Sequence, residues 1–284
     1  MKPMKRVSKF FKQYMPFASA GVKGVLSYKA QTFMWLFIAF IDVFFIVFLY
    51  QAIYRNSPEG MSSVINGFTF YEMVLYMVTS FVFSFVVNSS ETSWNIFQDI
   101  KEGTIANTLT KPVSYRLRHL FTCFGTTFIG LLIVMLPLTT IVYINFISFK
   151  FIEMSILNFI LNFLLFIIFA VIAMIINDGI SYTVGLLTFF TEHMFGLNLF
   201  RNSIQGFLSG QLLPLSYMGI FGVIFSFTPF AFMNSTPVLM MMGKLEISSI
   251  LIYFAVGILW IIIIELSNRL LFKFCIKRVS VQGG

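Results

Sequence analysis

Apolar positions along the chain gather into runs of about 20 residues, the length of a helix that crosses a hydrocarbon core about 30 Å thick. Six runs are legible, at 33–53, 70–88, 120–147, 155–176, 180–206 and 249–268. The third is long and contains Pro137, which predicts a kink or an extension along the membrane surface. The fifth is the most polar. A further apolar stretch, LSYMGIFGVIFSFTPFAFMNS at 215–235, is interrupted by Gly219, Gly222 and Pro229 and flanked by Pro214 and Pro237. Short broken apolar helices are more often re-entrant than spanning. Residues 207–243 are therefore expected to form a hairpin that dips into the membrane and returns. The N-terminus has another period: Lys2, Lys5, Lys9 and Lys12 recur at helical steps opposite Met4, Val7, Phe11 and Tyr14. That is a basic amphipathic helix suited to the headgroup plane, ended by Pro16; a disordered basic leader is the alternative. The expected fold is an all-α polytopic membrane protein, a single transmembrane domain over 1–284.

Composition supports the membrane assignment. The chain has 284 residues, 58% hydrophobic and only 11% charged, against about 25% charged in a soluble domain. The net charge of +8 marks the cytoplasmic side of a membrane protein rather than nucleic-acid binding. Lys and Arg cluster before the first run, between the second and third (Lys101, Lys111, Arg116, Arg118), and after the sixth (Arg269, Lys273, Lys277, Arg278). The other side keeps Arg55, Lys150 and Lys244. With six spans the positive-inside rule puts both termini in the cytoplasm, and a seventh span would export the C-terminal cluster. The 38 phenylalanines need no aromatic substrate, since lipid-facing helices tolerate them. Cys123 and Cys275 are far apart and show neither metal-ligand nor disulfide-framework spacing. No cleavable signal peptide is expected, because the first long apolar run starts too late.

Between the second and third runs the chain turns polar, in DIKEGTIANTLTKPVSYRLRH at 99–119. Trp94, Phe97 and Ile100 recur at three-residue steps among Glu91, Asp99, Lys101 and Glu102, which predicts a short helix across the membrane surface. Gly103 can end it in the left-handed region, Thr104 can cap a further turn carrying Ile105 and Leu109, and Pro112 resets direction. A well-capped ordinary loop is the alternative. The pattern DIxxGTIAxxLxKPVS at 99–114 resembles the cytoplasmic signature of type-2 ATP-binding-cassette (ABC) exporter permeases. LSGxxxPL at 208–215 and Thr228-Pro229-Phe230 resemble the family's extracellular re-entrant region. The order of these pieces, with six spans and an entry helix, covers nearly the whole chain.

That resemblance implies a coupling helix after the second span, docking on a nucleotide-binding subunit, with Asp99, Ile100, Gly103, Thr104, Leu109, Lys111, Pro112 and Ser114 in the matching positions. It implies Ser209, Gly210, Pro214 and Pro229 in the re-entrant region. It also implies ABC ATPase subunits as partners, a second permease chain, identical or related, and residence in a bacterial cell membrane. This chain has no GxxxxGK[ST] loop, since Gly243-Lys244 is followed by Leu245 and lacks the earlier glycine. ATP and Mg are thus expected on the partner, with no cofactor or metal on this chain and no catalytic residue. The family exports drugs, peptides, lipids and polysaccharides, and the mixed polar and aromatic character of the fifth run suits an amphiphile.

Candidate path residues lie on the fifth run. Thr188, Thr191, Asn198, Asn202 and Gln205 share a face at helical steps, bordered by Glu192 and extended by Ser181. They read as a hydrophilic path or as interhelical hydrogen bonding. Asp42 and the Glu192–His193 pair fall near mid-span, where a charge costs about 2.5–3.5 kcal/mol and is expected to have a partner or a function. His193 is a candidate partner for Asp42, and with Glu192 they define the alternative function, an ion-coupled transporter. Arg201 reads as snorkelling to outer headgroups, Glu265 and Arg269 as a helical ion pair, His119 as a surface residue, and Met240 to Met242 as flexible packing. An intramembrane enzyme is disfavoured by the lack of HExxH or a placed Ser/His pair.

Overall fold

The computed structural model describes residues 3–89, 91–106, 110–152, 154–191 and 193–277. Within them the chain is helical, apart from turns and one isolated bridge between Ile65 and Phe68. The helices are α1 (Pro3–Ser27), α2 (Lys29–Arg55), α3 (Phe70–Val87), α4 (Thr92–Lys101), α5 (Tyr115–Gly130), α6 (Leu136–Ser148), α7 (Ile156–Leu187), α8 (Met194–Leu208), α9 (Ile220–Ser226), α10 (Pro229–Met233), α11 (Ser235–Met241) and α12 (Ile247–Ile276). Four stretches among the described residues are long and apolar enough to cross a membrane: Phe70–Lys101, Tyr115–Ser148, Ile156–Leu187 and Ser248–Ile276.

Local chemistry sets several ends. Thr69 caps α3 in a reciprocal box with Glu72: the Glu72 N–H donates to the Thr69 hydroxyl, and the Thr69 N–H donates to the Glu72 carboxylate at 2.9 Å, satisfying two orphan donors. Ser155 caps α7 and Ser114 caps α5. Pro137 does not break its helix. A single π turn, Leu131–Met135, joins α5 to α6, and this wider turn accommodates the carbonyl that Pro137, which has no N–H, leaves without its usual donor.

Three expectations are corrected here. Pro16 lies inside α1, which continues to Ser27. Tyr14, Ala18 and Gly21 form its buried face, and α1 lies along α5 more extensively than any other pair of elements touches. A Cβ on Gly125 would sit 1.9 Å from the Ala18 carbonyl oxygen, and one on Gly21 would sit 2.3 Å from that of Thr122. Glycine at both positions lets the two backbones touch, and this packing holds α1 together across the proline. Secondly, the break expected near 177–179 between the fourth and fifth runs is absent. Helix α7 runs through Asn177, Asp178 and Gly179 to Leu187, and the next helix begins only at Met194. Those polar residues are buried in interhelical bonds, so nothing forces the helix to stop there. Thirdly, Arg201 does not reach outward; it is buried against α7.

The core forms around α3. Tyr50 and Tyr54 of α2, Met73, Tyr76, Met77 and Phe83 of α3, and Phe166 of α7 belong to one buried cluster. A second cluster at the α4 end joins Ile96, Ile105, Tyr115, Tyr182, Leu186 and Cys275. Met240, Met241 and Met242 are buried, as their packing role predicts.

Candidate functional site

The polar segment is built around Asp99. Helix α4 ends at Glu102, and Gly103 takes φ +70° with open space at its Cβ position. A left-handed residue there turns the chain back at little cost for glycine alone. The turn brings Thr104 under the helix end, where its hydroxyl donates to Asp99 Oδ1 at 3.1 Å. Tyr115, at the start of α5, donates its hydroxyl to Asp99 Oδ2 at 2.9 Å, and Arg118 approaches the same oxygen at 3.9 Å. One carboxylate thus ties α4, the following turn and α5 together. Ile100 packs against the Ile96–Tyr115–Tyr182 cluster. Lys111, Pro112 and Ser114 are exposed, but the backbone there is held by α1: Gln13 donates to the Pro112 carbonyl at 2.6 Å, and the Ser114 N–H donates to the Tyr14 hydroxyl at 3.0 Å. Leu109 lies outside the described residues. The outer face of α4 presents Trp94, Gln98 and Lys101 to its surroundings.

Behind this surface is a buried ion cluster that the sequence reading missed. Arg116 pairs with Asp178 of α7 and, through Nη2, with Glu265 of α12 at 2.6 Å. Its guanidinium also lies 4.9 Å from the centre of the Tyr182 ring. The Thr92 hydroxyl donates to Asp178 Oδ1 at 2.5 Å, which joins α4 to the same cluster. Glu265 therefore pairs with Arg116 across the bundle, not with Arg269, which is exposed. A two-acid partnership desolvates Arg116 less expensively than a lone guanidinium and outcompetes an exposed i,i+4 pair of small value. His119, expected at the membrane surface with no special role, is turned into the bundle. It is buried edge-on to Tyr115, with ring centres 4.7 Å apart.

The expected stripe on the fifth run is redistributed. Thr188 and Thr191 lie in the connection between α7 and α8, as does His193. The Thr188 hydroxyl only back-bonds to Gly185. Glu192 lies outside the described residues. On α8, Met194, Asn198, Arg201 and Gln205 form the inward face, while Asn202 is exposed. Asn198 accepts from Ser93 at 3.1 Å, and Gln205 donates to Asn88 at 2.7 Å. Arg201 donates to Ser181 at 3.1 Å and Asn177 at 3.2 Å. Asp42 is exposed on α2, and the structure shows no hydrogen bond or ion pair between it and His193 among the described residues.

At the other end of the bundle, 209–243 folds back against α3. Gly210, at φ +78°, offers its carbonyl to the Tyr76 hydroxyl at 2.7 Å, and Gln211 accepts from Ser80 at 3.2 Å. Ser209 accepts the Ser235 N–H through its backbone. Asn234, between α10 and α11, donates to Ser80 at 2.6 Å and accepts from Ser84 at 3.1 Å. Pro214 is buried, and Pro229 starts α10, where its missing N–H costs nothing. A cavity of about 240 Å³ opens here between Gly67, Phe68, Leu215 and Lys244. Lys244 closes one side, bound to Glu72 and to the Gly67 carbonyl, each at 2.8 Å. Tyr76, Ser80 and Ser84 recur every four residues in an otherwise apolar helix, a signal that could have located this support.

These elements are an apolar helical bundle with a tethered surface segment at one end and a folded-back segment at the other, the architecture of a membrane transport subunit. The family profile described as ABC-2 family transporter protein matches residues 38–283. The chain belongs to that family and is a membrane permease of an ABC transporter. A comparison with curated proteins finds no match.

Proposed function

We propose that this permease is an exporter subunit, driven by ATP hydrolysis on a separate nucleotide-binding protein, and that it moves a drug-like, peptide or other amphiphilic substrate. In this reading six spans cross the membrane with both termini in the cytoplasm. The spans are α2, α3, α5 continuing into α6, α7, α8 together with the folded-back segment, and α12. Residues 207–243 occupy the outer half as a re-entrant region. Residues 89–119 are the coupling segment, and two permease chains work with paired ATPases.

One observation carries the reading: Asp99 bonds α4 to the turn after Gly103 and to α5 at once. A segment fixed at several points transmits a rigid-body push from a soluble motor into α5 and α7, whereas a loop free to flex absorbs it. The Thr92–Asp178–Arg116–Glu265 chain continues that path to α7 and α12. The ion-coupled alternative needs Asp42, Glu192 and His193 to act together, and Asp42 and His193 stand on separate elements without a bond between them.

The test is purification of the intact complex from its native membrane, followed by ATPase and transport assays with Asp99→Asn and Gly103→Val. The expected outcome is a co-purifying ATPase whose hydrolysis persists while transport falls at least about tenfold. Absence of any ATPase, or transport that survives ATP depletion and follows an ion gradient, overturns the reading.

A further inference from the structure

The inward face of α8 carries polar atoms that the bundle leaves unmet. Arg201 and Gln205, with Ser209 one step further, recur every four residues and so stack on one face. Arg201 is 8% exposed, Gln205 4% and Ser209 1%. Arg201 Nε, Gln205 Oε1 and Ser209 Oγ each lack a hydrogen-bond partner among the described residues. The two partners that Arg201 does have, Ser181 and Asn177, are neutral. Among the described residues no carboxylate pairs with it, and the nearby Asp178 is already held by Arg116 and Thr92.

A guanidinium buried with neutral partners keeps most of its desolvation cost. Arg116 is paired with two acids; among the described residues Arg201 is in an ion pair with none, and feels the Asp178 carboxylate only at a distance. Among the described residues five buried side-chain polar atoms lack a partner, His119 Nε2 and Tyr182 Oη being the other two; it is the alignment of three of them on one face of one helix that points to a shared occupant. The missing component is one that supplies negative charge and acceptors at Arg201, with a donor-bearing group toward Gln205.

We propose that Arg201 anchors the oxyanion head of an amphiphile, a carboxylate or a phosphate, and that Gln205 and Ser209, one and two turns further along the same face, meet polar groups further down that molecule. The guanidinium fork suits both groups geometrically, and a charge-assisted bond is about twice as strong as a neutral one. Ser209, two turns further on, donates its hydroxyl to an acceptor further along the molecule. Gln205 Oε1 accepts from a hydroxyl or amide next to the head. The inference deepens the exporter reading, on which it rests for the ligand being cargo, by giving that cargo an anionic end. The same chemistry is available from an anionic phospholipid, and the experiment separates the two sources.

The full chain is placed in nanodiscs of phosphatidylcholine, without ATP or partner. Dodecyl phosphate and dodecanoate are titrated against dodecyl maltoside and dodecyltrimethylammonium. A second set replaces part of the phosphatidylcholine with phosphatidylglycerol. The anionic amphiphiles are expected to bind the wild-type chain at least about tenfold tighter than the neutral or cationic ones. Arg201→Gln should bring that ratio close to one, Arg201→Lys should keep part of it, and Gln205→Leu should reduce it less. If phosphatidylglycerol abolishes the added amphiphile's binding in an Arg201-dependent way, the headgroup is a natural occupant; if it does not, the cargo is. Should Arg201→Gln fail to fold, protection of Arg201 from phenylglyoxal by dodecyl phosphate, read by mass spectrometry on the wild type, decides. No head-charge preference in either set, a preference that survives Arg201→Gln, or no protection overturns the proposal. Binding is measured without nucleotide, so a missing ATPase partner sinks the exporter reading and leaves this result standing.

Discussion

Arg116 and Arg201 are both buried arginines at the α4 end, and their surroundings separate their roles. Arg116 is saturated: Asp178 and Glu265 neutralise it and the Tyr182 ring covers it. Removing one member of such a cluster strands the others without compensation, at about 3–5 kcal/mol. Asp178→Ala should therefore lower the thermal midpoint of the detergent-solubilised chain by several degrees. Arg269→Ala, which removes an exposed charge, should leave it within error; equal shifts from the two would show that the buried pairing has no special weight. Neither role was legible in the residues alone. Arg116 counted in the sequence only as one more positive charge on the inner side. Asp178 stood at a supposed gap between two spans, where a charge attracts no attention.

At the scale of the element, α1 and α5 show how close a contact two glycines permit. Gly125→Val places side-chain carbon where the Ala18 carbonyl now sits. Overpacking of this kind costs about 1–3 kcal/mol, and backbone cannot yield as a side-chain tip does. The expected result is release of α1 from α5. It should be read as faster proteolytic cleavage within 9–28 and loss of a disulfide cross-link between cysteines placed at Gln13 and Val113. Gly103→Val acts on the other side of the same assembly. A β-branched residue at φ +70° costs about 1–2 kcal/mol, and the strain should be relieved by unwinding the last turn of α4. Hydrogen exchange at 98–104 should then rise, with exchange in α7 unchanged; protection that stays at the wild-type level would mean Gly103 is not what shapes the turn. The end of α4 at Gly103 followed from the sequence, because left-handed backbone has a residue-level signature. The continuation of α1 through Pro16 did not, because a proline removes one hydrogen bond and only the packing beyond it shows what replaces that bond.

For the whole molecule, the arrangement of charge predicts orientation. Single cysteines at Lys111 and Lys273 should react with a membrane-impermeant maleimide only in inside-out vesicles, and those at Arg55 and Lys150 only in right-side-out ones. Cysteine at Lys244 should label more slowly, since that side chain is held by Glu72 and Gly67. Labelling of Lys111 from the outside would invert the topology and detach residues 99–114 from any cytoplasmic motor. The sequence by itself determined that this is a helical membrane protein, that positive charge clusters before the first apolar run, between the second and third and after the last, and that the helix entering the polar segment ends at Gly103. These properties depend on composition and on periods within a single helix. What only the tertiary structure decided is which polar residues meet: Asp99 with Tyr115, Arg116 with Asp178 and Glu265, Asn234 with Ser80 and Ser84, and Arg201 with the neutral Ser181 and Asn177. Inside an apolar bundle a polar side chain is worth what its partner supplies, and partners on different helices share no spacing that one strand of sequence can display.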